Sequence, residues 1–442
     1  MTPTFTKTAT TIASAEGVHD LRTVEYRGAV MNDSDAEIRD QFEQVLLDRI
    51  VEALTKPAES SSSGSRARAS SGNRQEVAFK GSADEVNRFY FEQGWSDGLP
   101  IVPPTVEKVH EFLKYTDRAP DEQIAVLPQA NLRATPWNIA VNAVMAGCRP
   151  AHMPILIAAV EAAAEPDFQL MSFGTTGMIV PWLLVNGPII KQLGIEYGVG
   201  LASRGPNPAI GRGFGFVIRN IAGFRPAETY MATWGYFPPF VFAEDEDACD
   251  KMGWKPYHVE HGFAKGASTV TVRSTGSWGP QALNAHGTDA KYLLDIMCDL
   301  QKRITLEYVA IPFGPLNHAT VLITPGTASV LARAGYSKRD VATYVYENTT
   351  MRRRDANTWG TPEAGLAKEV DAIFKLPERY EAAGPDEMIP VFATAGEGTV
   401  DVVVCGDPYK DKITNFWKNY NKPVTKEIRL PASWEKVFPR GM

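Results

Sequence analysis

Apolar residues recur at helical spacing in IRDQFEQVLLDRIVEAL, where Ile38, Phe42, Val45, Leu46, Ile50 and Leu54 share one side. The pattern predicts an amphipathic docking helix within residues 31–55. From Pro57 to about Gly81 the chain turns to Ser, Ala, Gly and Arg, with too little apolar surface to offset the entropy of ordering. That composition predicts a flexible linker over 57–81, which makes 1–56 an N-terminal extension and 82–442 the body, with an inner boundary expected near 265–305.

The body opens with the capping box Ser82–Glu85 ahead of a helix that Gly94 ends. Next comes GWSDGLPIVPPT, stiffened by Pro100, Pro103 and Pro104, which holds Asp97 in place. Thr135 and Pro136 predict the start of a helix, PWNIAVNAVMAG, and PILIAAVEAAA follows; both are apolar nearly all round, as central elements are. Short β-branched runs predict buried strands at 270–274, 308–313, 319–325, 388–395 and 400–406. Helices are expected at about 288–302, 327–334 and 338–349, the last capped by Ser337 with Asp340. This order predicts an α/β or α+β body with a mixed sheet, surrounded by and burying helices. No internal repeat is visible.

Composition narrows the functional classes. A chain of 442 residues, 44% hydrophobic, can bury a core without metal or disulfide staples. Cys148, Cys249, Cys298 and Cys405 form no CxxC pair, which suggests a reducing, cytoplasmic setting. A net charge of -7 and the lack of a basic–aromatic run argue against nucleic acid, and no apolar stretch predicts a membrane span.

Three constellations carry candidate chemistry. In the glycine-rich run 183–220, Gly205 precedes Asn207-Pro208 at a helix start with Arg212 beyond, a setting for the anionic group of a small substrate, with Asn186 nearby. Alternatively, these glycines permit tight helix packing. In WKPYHVEHG, His258 and Glu260 would share a face of an extended chain and work as acid and base, with His261 pointing away. Alternatively, they are surface residues beside the acidic run 244–247. Asp97 beside Trp95 is the third, its carboxyl expected to be raised by burial against the indole, unless it merely caps the turn into Gly98. Thr175 and Thr176 offer hydroxyls to an oxyanion or form an ordinary turn. Cys148 ends a buried helix as a thiol or as an inert small hydrophobe. No cofactor is expected; a zinc site would need His286 or His318 as further ligands, and nothing in the spacing demands a metal.

The segments GWSDGLPIVPPT, NAVMAGCRP, LLVNGPI, NPAIGR, HVEHGF with STVTV, and ARAGYSKRDVATYVYE resemble, in that order and over roughly residues 85–430, a poorly characterised bacterial family encoded beside or fused to the small UGSC/CGSC selenoprotein-or-thiol proteins. The resemblance implies a catabolic enzyme, or an enzyme subunit whose thiol or selenol sits on a small Cys/Sec-containing partner. This chain departs from the family pattern in having His261 in place of an arginine and FVFAE in place of a cysteine-containing FCIAE. The reading that follows is a lyase- or hydratase-type enzyme acting on a small anionic metabolite or xenobiotic. A thiol-dependent reductase subunit and a non-catalytic binding or scaffold protein are the alternatives. The apolar helices point to a homo-oligomer.

Overall fold

The computed structural model describes residues 1–28, 33–56, 77–177, 179–233, 235, 238–282, 289–306, 318–354, 382–390, 398–419 and 422–438. An N-terminal helix that the pattern did not predict, α1 (Pro3–Ala15), ties the extension to the body: Thr8 Oγ1 donates to the Glu228 carbonyl and Lys7 pairs with the Glu228 carboxylate. The expected docking helix forms as α2 (Asp35–Gln41), a π turn (Phe42–Leu46) and α3 (Leu47–Thr55), started by a Ser34–Glu37 capping box. It buries none of its side chains, and Phe42, Val45, Leu47, Val51 and Leu54 remain exposed. Most of the expected linker, 57–76, and the expected strand at 308–313 lie outside the described residues.

The body begins with α4 (Ala83–Glu92), α5 (Val106–Leu113), the hairpin β1 (Ala125–Leu127) and β2 (Leu132–Ala134), α6 (Pro136–Met145) and α7 (Met153–Ala163). The boxes at Ser82 and Thr135 cap α4 and α6 as predicted. Then come β3 (Val180–Asn186), α8 (Ile189–Leu193), α9 (Asn207–Asn220), β4 (Phe240–Ala243), α10 (Glu246–Met252), α11 (Tyr257–Glu260), β5 (Thr269–Thr275) and β6 (Ser277–Ala282). The chain continues through α12 (Ala290–Leu306), β7 (His318–Ile323), α13 (Pro325–Arg333), α14 (Lys338–Asn348), the pair β8 (Thr350–Arg352) and β9 (Met388–Pro390), then β10 (Val400–Val404), β11 (Ile413–Asn419) and β12 (Val424–Glu427). This is a mixed α/β fold.

Two four-stranded sheets carry the body, ordered β12-β5-β3-β4 and β10-β7-β11-β6. In each, one central strand has a parallel neighbour later in the chain (β3 with β4 after α8 and α9; β7 with β10 after α13, α14, β8 and β9 among the described residues) and an antiparallel neighbour on its other side (β5, β11). The strand after each of these crosses to the far edge of the opposite sheet: β6 pairs with β11, and β12 pairs with β5. Helix α7 lies on β5 and β12 as α12 lies on β11 and β6. The body is therefore two halves of one connectivity that exchange their last strands, a repeat invisible in the residues themselves.

Strand alternation places the layers. Leu183, Val185, Val270 and Val272 face a core shared with α6, α7 and α9, while Val402 and Val404 face one shared with α12, α13 and α14. The opposite faces, with Trp182, Leu184, Val403 and Phe416, meet between the sheets. The order is helices, sheet, sheet, helices.

Candidate functional site

Asp97 and Arg212 meet, but as a finished ion pair. Arg212 Nε donates to Asp97 Oδ2 at 2.9 Å and Nη2 to Oδ1 at 2.8 Å, and Nη2 also reaches the carbonyls of Leu99 and Pro100. Burial would raise the Asp97 carboxyl, but the hydrogen bonds and charge of Arg212 outweigh it and hold it below the usual aspartate range, opposite to the shift expected from the indole. Its Oδ1 also accepts from Leu99 N in the turn, the capping role offered as the alternative. The fully buried Asn207 spends its side chain on Glu196 N, Glu196 O and Val241 O, so it fastens α9 to β4 and offers nothing to a ligand. Trp95 packs on Phe89 and Tyr90. Thr175 Oγ1 accepts from Gly177 N, and Thr176 O accepts from Thr233 N, the ordinary-turn alternative. The Cys148 thiol is buried against the Ala209 carbonyl, and burial pushes it up to about 12, which makes it inert. Gly205 adopts a positive φ of 56° ahead of α9.

The 257–261 segment is a helical turn, not an extended chain, because Pro256 precedes α11 and fixes its entry. His258 and Glu260 therefore do not share a face. His258 is fully buried, its Nδ1 3.4 Å from Glu246 Oε1 but without hydrogen-bond alignment. Glu246 Oε1 accepts from Gly187 N and from Asn186 Nδ2, whose amide also donates to Glu244, so Asn186 and His258 belong to a closed polar core. Glu260 and His261 instead face a cavity of about 610 Å³ between α11, α14 and β10. Neither Asp97, Arg212 nor Asn207 lines it. The three pieces that the sequence suggested would converge do not form one site.

Lys338, the first residue of α14, is buried and contacts the Glu244 carboxylate, the Lys255 carbonyl at 3.2 Å and Glu260 Oε2 at 3.7 Å. Burial would lower the Lys338 ammonium, but Glu244 and Glu260 hold it above its ordinary value. Across the cavity, Asp401 on β10 is 2.8 Å from the buried Arg273 of β5, an ion pair that spans the two sheets, and 3.5 Å from His261 Nε2. Arg273 Nη1 donates to the Tyr257 hydroxyl, and its guanidinium lies over the Trp182 and Tyr257 rings. Burial opposes ionisation of Asp401, but Arg273 and His261 keep its carboxyl well below the usual range.

His261 stacks on Tyr257, and its Nδ1 lies 2.8 Å from the Tyr257 carbonyl while Nε2 faces Asp401. Both ring nitrogens thus face acceptors, a setting only the imidazolium satisfies. Burial alone would lower its pKa; Asp401 and the Tyr257 carbonyl carry it above the ordinary value. Glu260 moves the other way from most paired carboxylates. Burial raises it, with Glu244 adding to that, and Lys338 only partly compensates. The cavity therefore sets a carboxyl biased toward taking a proton beside an imidazole biased toward holding one.

Sequence reasoning missed Glu244, Lys338, Arg273 and Asp401. Arg273 and Asp401 are the single charges in the strands TVTVRST and VDVVV, each buried along its whole length, which was a usable signal. Lys338 directly follows the recognised cap Ser337, and Glu244 closes FVFAE. The four cysteines are buried, and burial raises each thiol. Among the described residues no group of three or more His, Cys, Asp or Glu could hold a metal, and no helix is long and apolar enough to cross a membrane. Compared with known proteins, the chain matches no family model and no curated protein.

Proposed function

We propose that the chain is an enzyme that adds water to, or eliminates it from, a small anionic metabolite or xenobiotic in the cavity between α11, α14 and β10. In the elimination direction Glu260 takes the proton next to the substrate's activating group, and the carbon–hydrogen electron pair becomes the new double bond. The carbon–oxygen bond on the adjacent carbon breaks, and the departing hydroxide leaves as water with the Nε2 proton of His261, which turns from Asp401, 3.5 Å away, to the leaving oxygen while Nδ1 stays on the Tyr257 carbonyl. Lys338, buried behind Glu260 and paired with Glu244, contributes its positive field to the activating group without a direct contact. Asp401, held ionised by Arg273, keeps His261 charged and oriented. What supports this reading is that Glu260, held by Lys338, and His261, set between Asp401 and the Tyr257 carbonyl, line one cavity of ligand size, with burial raising the carboxyl and Asp401 raising the imidazole. His258, first read as the base, has no route to a substrate. A reductase reading would need a partner's thiol, because those of this chain are buried.

The test is a screen of hydroxy acids and their unsaturated counterparts on the purified protein, followed by Glu260→Gln. The substitution is expected to cut turnover by about 100-fold or more with the fold intact. Full turnover by a folded Glu260→Gln protein removes Glu260 from the reaction and the proposal with it.

A further inference from the structure

The two halves supply a control for deciding which cavity residues the fold requires. Ala243 and Val404 end their parallel pairings, with Val185 and Ile323, and in each half the next amide, of Glu244 or Cys405, donates to that partner's carbonyl. Matching these strand ends pairs Asp401 with Phe240. Matching the first residues of α9 and α14 pairs Lys338 with Asn207, Arg339 with Pro208 and Glu347 with Phe216. A helix packs on a parallel strand in both halves, so the architecture does not need charge at those positions. The first half fills them with Phe240, Pro208 and Phe216.

The charges along the cavity are also polarised. Lys255, whose carbonyl holds Lys338, and Arg339, the next residue of α14, both line its Lys338 end, and neither has an ion-pair partner among the described residues. Glu347 lies eight residues along the same helix, about 12 Å away, at the far end. Lys338 itself is already committed to Glu244 and Glu260. Two cations without an ion-pair partner among the described residues therefore line the cavity with Glu260, and an acid lines its other end.

We infer that the substrate is a short dicarboxylate, with one carboxylate activated beside Glu260 and Lys338 and the second held by Lys255 and Arg339. This rests on the cavity being the active site, and the two ideas fail separately. The probes are succinate and succinamate, which share a shape and differ by one charge, with inorganic phosphate as a third, titrated calorimetrically into the full chain at fixed ionic strength. Wild type is expected to bind succinate about tenfold more tightly than succinamate. The exposed double substitution Lys255→Met with Arg339→Met is expected to erase that preference, whereas Glu260→Gln keeps it. Equal binding of the two probes, no succinate binding, or a preference that survives the double substitution overturns the inference. Tighter binding of phosphate than of succinate also overturns it, by assigning the cations to a phosphoryl group. Turnover by Glu260→Gln with the preference intact would instead overturn only the catalytic role of Glu260.

Discussion

Helices α9 and α14 both pack on a parallel strand, β4 and β10, but α9 meets the chain entering β4 through glycines while the matched side chains of α14 line the cavity. The difference comes down to a few matched positions. Gly211 and Gly215 of α9 correspond to Ala342 and Tyr346 of α14, which line the cavity. A Cβ at Gly211 would overlap the Pro239 carbonyl oxygen, and one at Gly215 would lie 2.8 Å from the Pro239 ring, so the first half closes only because both positions lack a side chain. Pro239 corresponds to Val400, which also lines the cavity. The glycine run that looked like a ligand cradle is thus the device that shuts one half. The cavity lies where the same architecture carries side chains instead.

The sharpest way to break this comparison is to exchange what holds the two helix starts. Lys338→Met strands the Glu244 carboxylate in the core and is expected to cost about 3–5 kcal/mol in denaturant unfolding. Asn207→Ala, at the matched position, leaves the Val241 and Glu196 carbonyls unpaired and is expected to cost roughly 2 kcal/mol. Equal losses would mean that the charge in the second half is ordinary architecture.

Next in size is the glycine contact. Gly211→Ala forces α9 off β4 and is expected to cost about 1–3 kcal/mol, whereas the converse change, Ala342→Gly, costs only about 1 kcal/mol of helix propensity because it enlarges an existing cavity. A thermal melt in which Gly211→Ala is neutral would show that the first half is not closed by this contact.

Much of the fold was legible because it is local. The capping boxes at Ser82, Thr135 and Ser337 and the β-branched strands at 270–274, 319–325 and 400–406 depend on neighbouring residues, and each appears within a residue or two of its expected bounds. The site was legible only in part. Glu260, expected as a catalytic residue, lines the cavity, but its partner was assigned by strand periodicity to His258, and one helical turn after Pro256 brings His261 to the cavity instead. Asp401 and Arg273 come from different halves, so their pairing exists only once the sheets face each other. The repeat is not legible in the residues because LLVNGP and VLITPG share a strand and a proline turn but few residues, and because the exchanged strands separate each half from its own edge.

The smallest expected effect concerns Arg212, whose counterpart Thr343 lines the cavity. In the first half this position pairs with Asp97 and braces α9 against the proline-rich segment, whereas α14 is braced at the next position, where the Tyr344 hydroxyl donates to Asp295 of α12. Asp97→Asn should therefore lower stability by about 1–2 kcal/mol at neutral pH, since both side chains are largely shielded. The sign with pH follows from the lowered Asp97 pKa. The ion pair's contribution is complete above the unfolded aspartate value and is lost only as pH falls through the lower folded value. Urea titrations of wild type and Asp97→Asn should thus differ by a constant amount from pH 7 down to about pH 5 and converge only below the ordinary aspartate range. Convergence already at pH 6 would mean that Asp97 is not held ionised by Arg212, and that α9 owes its closed position to the glycines alone.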